Sequence, residues 1–464
     1  MRSSGEILLI SCYELGHQPL HLASLHSLLT QAGYAPVPVD TAVETLSDEA
    51  IAGARFVAIS VPMHTALRLG EQVARRIRER NPRAFICLYG LYALLNADYL
   101  LQDTIDAAIG GEYEEPLLHL IGTLEQGTIE PLIAGVKTRQ QESGPWIQRA
   151  PVILPTRESL PPLARYAHLE INGEAVMAGY TETTRGCKHT CRHCPITPIY
   201  HGRFFAIPAE VVLSDIRAQV AQGARHITFG DPDFFNGPTH AMRIARALHQ
   251  EFPTLTFDAT IKIEHLLKHQ QLLPELHELG CAFVVSAVES LNADVLTHLA
   301  KDHSRDDVAR AFDVMAEAGI PLRPSLLPFS PWETLESYVD LLTFFEERHL
   351  IEHVDPVHFS IRLLLPPGSS LLDTPEEKLW LDELDAAAYT YRWHHPDPRM
   401  DTLHQEIATL VEQAEVAHQE PVVTFFQLKS LVLQACGQQA DADRELAHYG
   451  QRKVLPHLSE SWFC

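Results

Sequence analysis

Basic residues are scarce in this chain. Its 36 lysines and arginines face 60 aspartates and glutamates, for a formal net charge of −24. Nucleic acid therefore meets no electrostatic footprint here, and an anionic membrane surface is disfavoured for the same reason. Long apolar runs are also lacking: none reaches the ~18–20 residues needed to span a bilayer. The opening Met1–Glu6 leads into a short apolar run, too short for the core of a secretory leader. Cysteine is sparse, with eight in 464 residues, and in an acidic chain of this kind the thiols read as free rather than paired. No internal repeat and no low-complexity tract is visible. What remains is a cytoplasmic protein that engages neither nucleic acid nor membrane. Its hydrophobic content of 46% and charged content of 21% are ordinary for a globular chain of two to four domains.

Three of the eight cysteines are concentrated in one short stretch. Cys187, Cys191 and Cys194 stand in Arg185-Gly186-Cys187-Lys188-His189-Thr190-Cys191-Arg192-His193-Cys194-Pro195. Three thiolates on one loop suit three irons of a [4Fe–4S] cluster and leave the fourth iron without a protein ligand. A zinc site would need a fourth donor, which His189 or His193 can supply. A structural thiol set is the third reading. Cys12, Cys87, Cys281 and Cys436 read as small apolar side chains.

Around this loop the chain alternates strands and helices. Up to residue 130 the order is strand Ile7–Ile10, helix His21–Gly33, strand Val37–Val39, helix Ser47–Ala54, strand Phe56–Val61, helix Leu67–Arg80, strand Ala84–Tyr89 and strand Ala107–Ile109. This predicts a doubly wound parallel sheet. Residues 131–175 are proline-rich and read as a linker. From 176 to 370 the alternation resumes, with strands at Ile227–Phe229, Leu255–Thr260, Ala282–Ser290, Pro321–Leu327 and Val357–Leu364. Residues 371–464 read as helical and acidic. The fold class is α/β, with the second half a partial barrel whose chemistry gathers at the carboxyl ends of its strands.

The triplet and its entry, Thr183-Thr184-Arg185-Gly186, resemble the radical S-adenosylmethionine (SAM) superfamily. That resemblance implies a partial (β/α)6 barrel, a [4Fe–4S] cluster on Cys187, Cys191 and Cys194, and SAM chelated by the open iron. It implies SAM-binding roles for the strand end Gly230, Asp231 and Asp233 and for Glu289 and Ser290, which stand where relatives carry G-x-E-S. Arg323 and Arg362, on later strands, are candidates for the SAM carboxylate. The N-terminal unit, ending in Gly110-Gly111-Glu112-Tyr113-Glu114, is similar to the cobalamin-binding domain that precedes many such barrels. Cobalamin is thus a candidate third cofactor, although the D-x-H-x-x-G motif is absent and Leu91 stands where a second glycine is usual. The terminal Trp462-Phe463-Cys464 resembles the start of the C-U-A-E-P or C-C-A-E-P tail of radical SAM proteins linked to arsinothricin-type biosynthesis. That likeness implies a catalytic Cys464, arsenite as the small-molecule substrate, and transfer of the 3-amino-3-carboxypropyl group of SAM to trivalent arsenic. The alternatives are a cobalamin-dependent radical methyltransferase and a non-catalytic iron–sulfur redox sensor. An electron donor such as flavodoxin or ferredoxin is the implied protein partner of either enzyme.

Overall fold

The computed structural model describes residues 1–127, 133–149, 151, 153–373, 378–439, 441–450 and 453–460. Its first sheet runs in the order β2-β1-β3-β4-β5-β6, with β1 Ile7–Ser11, β2 Pro36–Asp40, β3 Phe56–Ser60, β4 Phe85–Tyr89, β5 Ala107–Ile109 and β6 Val136–Thr138. The first five strands are parallel and β6 is antiparallel to β5. Every residue of β1 and β3 is buried, because helices cover both faces of a parallel sheet and continuous apolar strands suit that position. One face packs Leu8, Ile10, Val57 and Ile59, and the other Ile7, Leu9, Phe56 and Ala58. The chain order reverses between β1 and β3, so a crevice opens at the carboxyl ends there.

The second sheet runs β14-β13-β12-β11-β8-β7-β17. Its strands are β7 His168–Ile171, β8 Glu174–Thr181, β11 His226–Phe229, β12 Thr256–Thr260, β13 Cys281–Glu289, β14 Leu322–Leu326 and β17 His457–Leu458. Strands β8 and β11 to β14 are parallel and form the curled half-barrel. Their outer face carries Ile227, Phe229, Phe257 and Val284 against the helices. The expected last strand, Val357–Leu364, is instead a 3-10 turn at Pro356–Phe359 followed by one parallel bridge, Phe329 to Arg362. The opposite edge is lengthened. Strand β7 pairs antiparallel with β8, and β17 pairs with β7. Asn172 and Gly173 join β7 to β8 with positive φ of 54° and 78°, the conformation that an Asn-Gly hairpin turn requires.

A small ribbon, β9 Thr184–Gly186 with β10 Phe204–Ala206, closes the base of the cysteine loop. The C-terminal region adds a hairpin of β15 Leu381–Asp385 and β16 Thr390–Trp393, then helices Pro398–Val416, Pro421–Ala435 and Ala442–His448. Among the described residues no helix is long and apolar enough to cross a membrane.

Candidate active site

The cysteine loop leaves β9 through Gly186, whose φ is +76° and whose Cβ, if present, would lie 2.5 Å from the Tyr200 ring. Only glycine takes that turn without moving the ring. None of Cys187, Cys191 and Cys194 is in a disulfide, and the first two are buried. Burial pushes the Cys187 thiol up to about 11 and the Cys194 thiol up to about 12. Three thiolates here therefore need a cation, which is what a metal cluster provides. Two buried lysines add positive charge. Lys262 Nζ lies 3.8 Å from Cys191 Sγ, and the buried Lys301 interacts electrostatically with Cys191 and Cys194. Asn236 clamps the first cysteine: its Oδ1 accepts from the Lys188 amide at 3.2 Å and its Nδ2 donates to the Gly186 carbonyl at 3.3 Å. The donor set fits a cluster with three protein ligands. His189 and His193, the two candidates for a fourth zinc ligand, are turned toward carboxylates instead.

Glu289 ends β13 beside this loop. Its Oε1 lies 3.1 Å from Lys301 Nζ and 3.3 Å from His193 Nε2. Burial works to raise this carboxyl, but Lys301 and His193 more than reverse that, and it stays below the ordinary carboxylate range. Its φ is +66°, at a register shift between β13 and β14. A non-glycine residue held in that region stores backbone strain, as residues at functional sites often do. Ser290 turns the other way, donating to Glu333 Oε2 at 2.6 Å, so its hydroxyl supports the loop at Pro331–Thr334.

The expected SAM-amine contacts at the end of β11 have other partners. Asp231 accepts from the Thr183 amide at 2.9 Å, the Thr183 hydroxyl at 2.7 Å and the Thr184 hydroxyl at 2.6 Å. It is the anchor of the strand that enters the cysteine loop. Burial raises its carboxyl to about 7, against these hydrogen bonds. Asp233 faces His189 and His265. Gly230 makes room for Tyr180, whose hydroxyl would lie 1.9 Å from a Cβ at that position. Arg323 pairs with Asp355 at 2.5 Å. Arg362 pairs with Asp401 at 2.8 Å and lies 3.6 Å over the Trp393 ring. Both arginines thus hold structural ion pairs rather than facing the cysteine loop: a barrel arginine is stable only with a partner, and the fold supplies one from the C-terminal half. Cys464 lies outside the described residues.

The N-terminal domain meets the barrel directly over this site. Arg185, two residues before Cys187, reaches Glu112 at 3.3 Å, Glu182 at 3.5 Å and also Glu114. Tyr200 donates to Glu112 at 2.8 Å. Arg157, in the connecting segment and fully buried, makes a two-pronged contact to Asp215 at 2.7 and 2.8 Å and reaches the Gln18 side chain at 3.0 Å. Sequence reasoning missed Arg157, Lys262, Lys301 and Asn236, which carry no motif of their own.

Residues 181–344 match the model of the radical SAM superfamily. This stretch is a radical SAM domain. It implies a [4Fe–4S] cluster and SAM, in keeping with the cysteine geometry. In overall fold the chain is similar to the cobalamin-dependent SAM radical enzyme OxsB, solved with aqua-cobalamin bound. The TM-score is 0.69 at 15% identity, covering 92% of this chain and 72% of that one. It is also similar to the radical SAM methyltransferase TsrM from Kitasatospora setae, solved with cobalamin and a [4Fe–4S] cluster. There the TM-score is 0.59 at 16% identity, over 74% of this chain and 70% of that one. A curated relative, the hopanoid C-3 methylase of Methylococcus capsulatus, is 23% identical over 267 residues, or 56% of this chain and 50% of that protein. The chain thus spans half the length of that relative.

For cobalamin, the relevant space is the crevice at the carboxyl ends of β1 and β2. Its volume is about 740 Å³, and Tyr13, His17, Thr41, Val73 and Tyr166 are among its lining residues. That lies in the range of about 300–1,000 Å³ usual for cofactor and ligand sites. The crevice fits part of a large cofactor. His17 borders it, but its ring is stacked on Tyr180 at 4.7 Å, so a corrinoid here would rely on contacts other than a motif histidine.

Proposed function

We propose that this protein is a radical SAM enzyme that reductively cleaves SAM and methylates a small molecule, with cobalamin as the intermediate methyl carrier. The supporting observation is the joint placement of the cysteine loop, the Glu289–Lys301–His193 set and a cobalamin-domain-like unit packed directly over them. When bound, the cluster delivers one electron to SAM and cobalamin relays a methyl group; the electron comes from an external reductant. The chain's own residues hold and orient. Asn236 and Gly186 fix Cys187. Glu289, ionised and carried on a backbone of positive φ, offers its carboxylate to the hydroxyls or amine of SAM, and Lys262 and Lys301 offset the negative charge of three thiolates. His17 of the first domain stacks on Tyr180 of β8 and helps to hold the two domains together. The relatives favour methyl transfer over the arsenic chemistry suggested by the chain's last residues, and they lend the arsenic reading no support.

The test is product analysis. Anaerobically reconstituted protein, given hydroxocobalamin, SAM and a low-potential reductant, should retain a visible corrinoid spectrum after desalting. It should release 5′-deoxyadenosine and S-adenosylhomocysteine. Methylthioadenosine without retained corrinoid would overturn methyl transfer and point to aminocarboxypropyl transfer. No SAM turnover, with the cluster intact, would favour the redox-sensor reading.

A further inference from the structure

A second set of metal-type ligands converges beside the cysteine loop, in groups that the proposed reaction does not use. His189 Nε2 lies 3.2 Å from Asp233 Oδ2, and His265 Nδ1 lies 2.5 Å from the same oxygen. One ligand atom from each residue is within 4.8 Å of the other two. Asp233 and His265 are completely buried. His265 Nδ1 is in contact with the Asp233 carboxylate, and its Nε2 has no hydrogen-bond partner among the described residues. Two imidazoles that converge on one buried carboxylate oxygen are the donor set of a metal site. Glu264 and Asp302 form a further set with His189 under the same 4.8 Å limit. Glu264 is half-buried and Asp302 is exposed.

We propose that His189, Asp233 and His265 form a mononuclear site for a divalent transition metal of the zinc or iron(II) class, separate from the cluster on the three cysteines. Two imidazoles and one carboxylate oxygen suit those metals, whereas magnesium and calcium prefer all-oxygen sites. A tetrahedral zinc about 2.0–2.1 Å from each donor holds the donors about 3.3 Å apart. The His189–Asp233 separation already matches, and the His265 ring has to draw back by about 0.8 Å. The three ligands come from three places: the cysteine loop, the turn after β11 and the helix Ile263–Lys268 after β12. A metal there would tie the cysteine loop to the barrel from outside the cluster.

The test uses full-length protein reconstituted anaerobically to four irons, given one equivalent of zinc sulfate and desalted. One zinc per chain should remain beside four irons. Its K-edge spectrum should show nitrogen and oxygen ligands with imidazole scattering and no sulfur shell near 2.3 Å, the distance of a zinc–thiolate bond. His265→Ala and Asp233→Asn should lose at least nine-tenths of the zinc while keeping four irons. Zinc that does not survive desalting, a sulfur shell, or unchanged zinc in His265→Ala would overturn the proposal. Iron lost in step with zinc would also overturn it, since the residues would then be supporting the cluster. If the His265 variant fails to fold, the wild-type spectrum and His189→Gln decide.

Discussion

Glu289 shows how much one residue carries. Its carboxylate is buried and paired with Lys301 and His193, and its backbone is held at positive φ. Glu289→Gln keeps the shape but removes the charge. Iron content should stay at four per chain while SAM cleavage falls about 10- to 100-fold, by analogy with the loss of a supporting polar group around a metal site; unchanged kinetics would take Glu289 out of the site. Lys301→Met is the harsher change, because it leaves the buried carboxylate with His193 as its remaining partner. Breaking a buried pair in this way costs about 3–5 kcal/mol, readable as a lowered thermal midpoint. Glu14 sets a pH dependence. Burial lifts its carboxyl to about 7, against the pull of His21, so the folded state holds this proton more tightly than the unfolded chain does. Its stabilising contribution is complete below the unfolded value near 4.5 and is lost as pH rises through 7, by about 3 kcal/mol at most. His17 works in the opposite direction. Burial lowers it to about 4, so stability is lost as pH falls from 6.5 toward 4. Glu14→Gln should therefore move the pH of maximal thermal stability upward; an unmoved optimum would show that Glu14 is not ionising in the fold.

At the level of elements, the cysteine loop depends on the β9–β10 ribbon at its base. Gly186→Ala would put a methyl group against Tyr200 and the Arg203 carbonyl at a left-handed φ. The loop should then be displaced, and reconstituted iron should fall well below four per chain while the far-UV circular dichroism stays the same. The β15–β16 hairpin is a second such element. Its turn residue Tyr389 is buried in the core of the N-terminal sheet, and the Ala388 carbonyl meets His64 Nε2 at 2.8 Å. The hairpin thus fastens the C-terminal half to the first domain. Tyr389→Ala should cost about 3–5 kcal/mol, as for other large aromatic truncations, and should open the hairpin to limited proteolysis. An unaltered digestion pattern would mean that the contact contributes little.

Across the whole molecule, the first domain and the barrel are joined by buried charge around Arg185. Three carboxylates, from the turn after β5 and the end of β8, meet one guanidinium. Removing that guanidinium leaves an uncompensated acidic interface, so Arg185→Met should loosen the two domains by about 3–5 kcal/mol. Small-angle scattering should show a larger radius of gyration, and reconstituted iron should fall because Cys187 lies two residues away. A compact variant with full iron would show that the domains are held by apolar packing instead.

Local spacing and periodicity settled a good deal by themselves. The cysteine triplet, the alternation of the first domain and the strand ends at Asp231 and Glu289 were all legible, because each rests on residues close in sequence. The Asn172-Gly173 hairpin was legible in principle, but the prolines on its N-terminal side made the segment read as a linker. The partners of each buried charge were not legible. Arg157 with Asp215, Arg323 with Asp355, Arg362 with Asp401 and Lys301 with Glu289 join residues 12 to 58 positions apart. Whether an arginine on a barrel strand faces a cofactor or a structural aspartate depends on which chain passes over it, and no local pattern encodes that. The same holds for Asp233, which sequence alone presents as a contact for SAM. Only the placement of the helix Ile263–Lys268 beside the cysteine loop brings it between two histidines, because burial of a carboxylate is tolerable only where the fold supplies a compensating partner.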